Sequence, residues 1–106
     1  MTEHIALHTR LKEGAEDEYE RVHAAIPDEL DERLRSAGVT SWSIWRSGRD
    51  LFHLVEVADH VAMRRRLADD PVNVAWQGRM AELLEVEDDY SEGSAGLPLV
   101  WRLPDA

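Results

Sequence analysis

Two stretches near the middle of the chain constrain the architecture most. Val39 to Arg46 reads VTSWSIWR and Leu51 to Val57 reads LFHLVEV, both rich in β-branched and aromatic residues. Ser47, Gly48, Arg49 and Asp50 between them read as a hairpin turn. The sheet is therefore built around an antiparallel pair, and the remaining elements must pack against it. Glu3 to Leu11 predicts another strand. It alternates, with Ile5, Leu7, Thr9 and Leu11 on one side and His4, Ala6, His8 and Arg10 on the other.

Helical spacing fills the intervals. From Ala15 to Ile26 the stripe is Tyr19, Val22, His23 and Ile26, with acids opposite. Pro27 interrupts it, because proline disfavours helix at the preceding residue and has no N–H to give. Leu30 and Leu34 resume the stripe, and Gly38 is a C-terminal stop. Asp59 can cap a helix to about Leu67. Pro71 opens a further one, with Val72, Trp76, Met80, Leu83 and Leu84 at helical spacing. EVEDDYSEGSAG is an acidic loop, and its part from Glu85 to Gly93 is expected to close partly over a ligand. LPLVWRLP reads as a last strand.

The order is β-α-β-β-α-β, with both helical regions open to being broken in two. That is the α+β, ferredoxin-like split βαβ pattern, an antiparallel sheet with helices on one face. Residues 1–106 form a single domain. The other sheet face carries large apolar side chains, and a homodimer packing sheet on sheet is the economical cover.

A net charge of -10 argues against nucleic acid and against anionic membranes, both of which are gripped by clustered Lys and Arg. There is no cysteine, so disulfides, thiolate catalysis and Cys-ligated zinc are excluded. The N-terminal MTEHIALHTRLKEG lacks a signal-peptide run, and no window approaches the roughly 20 apolar residues of a membrane span. The expectation is a soluble, cytoplasmic protein.

Among candidate functional residues, Tyr19 and His23 come first. Four residues apart, they stack on one helix face. A histidine of ordinary pKa about 6.5 can both give and take a proton near neutrality. The structural alternative is an aromatic pair in the core stripe. Pro27 leaves the His23 carbonyl without its helical partner, which suits a pocket wall. Of the four tryptophans, Trp42 and Trp45 face opposite sides of one strand, while Trp76 lies on a helix and Trp101 on the last strand. Any of them could offer an aromatic face to a sugar, or simply fill core or interface. His4 and His8 share a strand face about 13 Å apart, too far to ligate one metal, and read as surface residues. No other cluster has ligand spacing, so no metal is expected. Met63-Arg64-Arg65-Arg66 reads as a solvated face near a helix C-terminus. No phosphate loop, Ser/His/Asp order or cofactor fingerprint is present.

From Glu18 to Pro104 the chain resembles the L-rhamnose mutarotase family. The resemblance rests on EYERVH followed by P-x-x-L, then SWSIW, LFHLVEV, a Trp before Met80 and the closing LVWRLP. It implies a small cofactor-free homodimer of dimeric α/β barrel type, an isomerase that interconverts the α and β anomers of a monosaccharide. It also implies His23 as the catalytic residue and Tyr19, Trp42, Trp76 and Gln77 as substrate-binding residues. Trp42 stands where the family usually has tyrosine, and Gln77 where it has a second tryptophan. The substrate implied is a 6-deoxy-L-hexose such as L-rhamnose, with L-fucose or another sugar as the alternative. Two other readings use the same fold: a different cofactor-free enzyme acting on an apolar aromatic compound, and a non-catalytic binding dimer.

Overall fold

The computed structural model describes residues 2–86 and 96–104. The elements are β1 (Glu3–Arg10), α1 (Glu16–His23), α2 (Asp28–Ser36), β2 (Val39–Ser47), β3 (Asp50–Val57), α3 (His60–Ala68) and α4 (Pro71–Ala81). The three strands form an antiparallel sheet in the order β1-β3-β2. The hairpin turns as its sequence predicts, with Ser47 opposite Asp50. On the other side of β3, Leu7 faces His53 and Thr9 faces Leu51.

The helices follow their local signals. Glu16, Asp17 and Glu18 crowd the first turn of α1, where carboxylates meet the positive end of the helix dipole. At Pro27 the chain departs further than a kink. The helix ends at His23, and Pro27 (φ -58°, ψ 139°) stands outside a separate α2. The second helical region is likewise two helices. The Asp59 carboxylate accepts from the Ala62 N–H at 3.0 Å to start α3. Asp70 accepts from the Val72 N–H at 2.9 Å to start α4, with Pro71 at the first helical position.

All four helices cover one face of the sheet. Leu11, Tyr19, Leu51, Met80, Leu83 and Leu84 form one buried cluster, and Val39, Val55, Val57, Met63 and Leu67 form the other. Leu83 and Leu84 lie beyond the end of α4, where Leu84 bridges to Leu11. On the opposite face Trp45, Phe52 and Leu54 are exposed, Trp45 by 57%. Trp42 packs on the helix side, so the two tryptophans of β2 do face opposite ways.

The expected last strand is not formed within the chain. Residues 97–104 have no regular structure, and Leu99, Val100, Trp101 and Leu103 are exposed. Pro98 and Pro104 carry no N–H for a ladder. The segment does touch the free edge of β1, where the Leu97 N–H donates to the Ala6 carbonyl at 2.7 Å. Gly96 permits that approach. Its φ is +81°, and a Cβ there would lie 2.8 Å from the same carbonyl oxygen. The acidic loop lies largely outside the described residues. No helix among the described residues is long and apolar enough to cross a membrane.

Candidate active site

A cavity of about 510 Å³ lies between the sheet and the helices, within the size range of small-ligand sites. Thr9, Trp42, Ile44 and His53 belong to its sheet wall, while Tyr19 and His23 enter from α1 and Arg64 from α3. Asn73, Trp76 and Gln77 come from α4, and Leu30 and Leu34 add an apolar side from α2.

Tyr19 and His23 meet because they are one turn apart. Their rings stack with centroids 4.1 Å apart and planes 29° to each other. The Trp76 ring meets His23 edge-on at 5.2 Å. The His23 Nδ1 lies 3.1 Å from the Tyr19 carbonyl oxygen. A carbonyl only accepts, so Nδ1 carries a proton and, in the neutral ring, Nε2 has the free lone pair. Burial holds the His23 pKa below its usual value, partly offset by the bond to that carbonyl, which favours the charged ring. Burial also raises the Tyr19 pKa to about 12, so the phenol keeps its proton. Glu18, next to Tyr19 in sequence, pairs with Arg79 of α4 and ties the two helices that bear His23 and Trp76.

The sheet wall carries a second polar group. The Trp42 indole N–H donates to His53 Nδ1 at 3.1 Å, and His53 Nε2 lies 3.0 Å from Thr9 Oγ1. On α4 the Gln77 amide lies 3.4 Å from Asn73 Oδ1. Asn73 is itself buried and donates to the Leu67 carbonyl at 3.0 Å. Among the described residues no group of three or more His, Asp or Glu side chains is arranged to hold a metal ion.

A family model described as L-rhamnose mutarotase matches residues 4–103. The chain belongs to the L-rhamnose mutarotase family. Among its relatives, an L-rhamnose mutarotase from Burkholderia orbicola is 38% identical, over 82% of this chain and 85% of that protein. One from Phocaeicola vulgatus is 32% identical, over 88% of this chain and 90% of that protein. The crystal structure of an L-rhamnose mutarotase from Formosa agariphila superposes with a TM-score of 0.78 at 26% identity, covering 96% of this chain and 99% of that one. Anomer interconversion is the reaction of this family.

Tyr19, His23, Trp42, Trp76 and Gln77, singled out from the sequence, all line this same cavity. Trp45 and Trp101 lie outside it and are exposed. His4 and His8 are surface residues, beside Glu56 at 3.4 Å and Asp50 at 2.8 Å. The basic run is not wholly a solvated face. Arg64 is 2% exposed and lines the cavity, because position 64 points under α3 toward the sheet. Thr9, His53 and Asn73 were missed as site residues. His53 left a signal: it has the inward parity of Leu51, Val55 and Val57, and a histidine among inward apolar residues marks a polar spot on a core face.

Proposed function

We propose that this mutarotase family member interconverts the α and β anomers of a 6-deoxy-L-hexose, L-rhamnose first, by acid/base opening of the pyranose ring. The observation that carries the reading is the His23 Nδ1–H bond to the Tyr19 carbonyl, which leaves Nε2 basic on a ring that lines a sugar-sized cavity. In the proposed step Nε2 takes the proton of the anomeric hydroxyl while the bond from the anomeric carbon to the ring oxygen breaks; that oxygen takes a proton from a water molecule, and the protonated imidazole then restores the water. The aldehyde turns and closes on its other face, with both proton transfers reversed. Tyr19, Trp42, Trp76 and Gln77 bind the sugar, the aromatic rings against its C–H faces. L-rhamnose stands first because the similar proteins bear its name. The reaction so read uses no cofactor and no metal, and residues 1–106 act as one domain. A cysteine-free chain of this kind suits the cytoplasm. Magnetisation-exchange NMR between anomers tests the reading, with L-rhamnose, L-fucose, D-glucose and D-galactose in parallel. Accelerated exchange of a 6-deoxy-L-hexose is expected, and no acceleration for any sugar overturns it.

The depressed His23 pKa sets the pH dependence. Acid protonates Nε2 and removes the base, so kcat/KM falls on the acid side with a midpoint below the ordinary histidine value of about 6.5. The unfolded chain binds this proton more readily, so the His23 contribution to stability also declines as pH falls from about 6.5 through the lower folded value. Tyr19, at about 12, produces no alkaline loss in the neutral range. An acid limb centred above pH 7 would show that another group controls the reaction.

The reading extends to a homodimer of the dimeric α/β barrel type, with residues 97–104 completing the ferredoxin-like pattern beside β1. Its support is the exposed Trp45, Phe52 and Leu54 face, the exposed apolar tail and the Leu97 bond at the β1 edge. Light scattering is expected to return twice the chain mass. Trp45 and Phe52 are cross-strand partners, so Trp45→Lys with Phe52→Asp places charge at the centre of this face and is expected to yield monomer. A monomeric wild-type protein would contradict the dimer.

A further inference from the structure

The His53 hydrogen bonds have a direction, and that direction ends in the cavity. An indole N–H can only donate, so His53 Nδ1, 3.1 Å from Trp42 Nε1, is the acceptor and carries no proton. Neutral His53 therefore holds its proton on Nε2, which donates to Thr9 Oγ1 at 3.0 Å. The Thr9 oxygen is thereby engaged as an acceptor, and its own hydroxyl proton is turned to another acceptor. Sheet register explains why these three residues meet. His53 lies between Leu7 and Ile44, Thr9 sits opposite Leu51, and Trp42 sits opposite Val55, so both partners are diagonal neighbours of His53 on the inward face. All three line the cavity that also holds His23.

We propose that Thr9 is a substrate-binding residue, a hydroxyl donor directed at a sugar oxygen by the Trp42–His53 pair, and that this triad helps to set which sugar the site accepts. His53 acts as a positioning residue. It cannot pass its Nε2 proton on while Nδ1 accepts from Trp42 without becoming an imidazolate, so it takes no part in the proton transfers assigned to His23. A donor suits a pyranose ring oxygen, which has lone pairs and no proton, and it suits the lone pairs of a hydroxyl. The inference rests on the mutarotase reading for the identity of the ligand, and on geometry alone for the triad.

Two measurements on the full chain separate those parts. Long-range ¹H–¹⁵N correlation spectra of the imidazoles should show His53 protonated at Nε2 and bare at Nδ1, with that pattern relaxed in Trp42→Phe. A proton on Nδ1 overturns the triad whatever the protein catalyses. Titration with L-rhamnose then tests the role. Thr9→Val keeps the shape and removes the hydroxyl, and it should raise Kd and KM about five- to tenfold with kcat changed less. His53→Leu should do the same, whereas His53→Gln, which keeps one acceptor and one donor, should stay within about twofold of wild type. A merely structural role would lower stability without this split, and an unchanged Kd in Thr9→Val overturns the proposal. Wild-type protein that binds L-rhamnose without exchanging its anomers would sink the mutarotase reading and spare Thr9. Wild-type protein that does not bind it at all would sink the ligand assignment with it.

Discussion

Replacing His23 with asparagine is expected to slow anomer exchange by about a hundredfold or more, the usual contribution of a positioned acid/base group. Asparagine is the informative substitute. Its amide N–H can still donate to the Tyr19 carbonyl, as His23 Nδ1 does at 3.1 Å, so the end of α1 keeps a partner. It has no nitrogen that takes a proton near neutrality. Sugar binding should stay within a few-fold, because Tyr19, Trp42, Trp76 and Gln77 remain in place. The loss should therefore appear in kcat, the mark of a group that acts in the transition state. Exchange within a few-fold of wild type in His23→Asn would remove His23 from the chemistry.

The second large effect is on stability. Leu51→Ala is expected to cost about 2–5 kcal/mol, the range for a fully buried leucine truncated in a core that relaxes only partly. Leu51 is 1% exposed and belongs to the same cluster as Leu11, Tyr19 and Met80. It also faces Thr9 across the sheet. The void would thus open within the cluster that holds Tyr19, on which His23 stacks, and across the sheet from Thr9. Activity should fall beyond the loss of folded protein, because a rotated Tyr19 no longer holds the imidazole. Urea unfolding measures the first quantity and activity per folded molecule the second. A loss below about 1 kcal/mol would mean that the cluster repacks around the gap.

Much of the site could be read directly from the chain because it is local. Tyr19 and His23 are one helical turn apart, and Pro27 ends the helix beyond them, so their stacking needs no information from elsewhere. The opposite facing of Trp42 and Trp45 follows from strand alternation. Asp59, Asp70 and Pro71 mark their helix starts through bonds to the next two or three residues. Gln77, placed at the site by family resemblance, does line the cavity.

What escaped the sequence depends on contacts between distant positions. The neighbours of His53 are 44 residues back at Thr9 and 11 back at Trp42, joined only once β3 lies between β1 and β2. Arg64 looks like its exposed neighbours Arg65 and Arg66 in a basic run, and only the docking of α3 on the sheet decides which of the three turns inward. The closing LPLVWRLP has the composition of a strand, yet its alternation says nothing about whether an edge is available, and among the described residues it makes a single ladder-like bond, at Leu97. Turns, caps and side-chain parity are set by a few adjacent residues through short-range sterics and hydrogen bonds. Strand order, the buried arginine and the Trp42–His53–Thr9 triad arise only when elements far apart in sequence close around a common core.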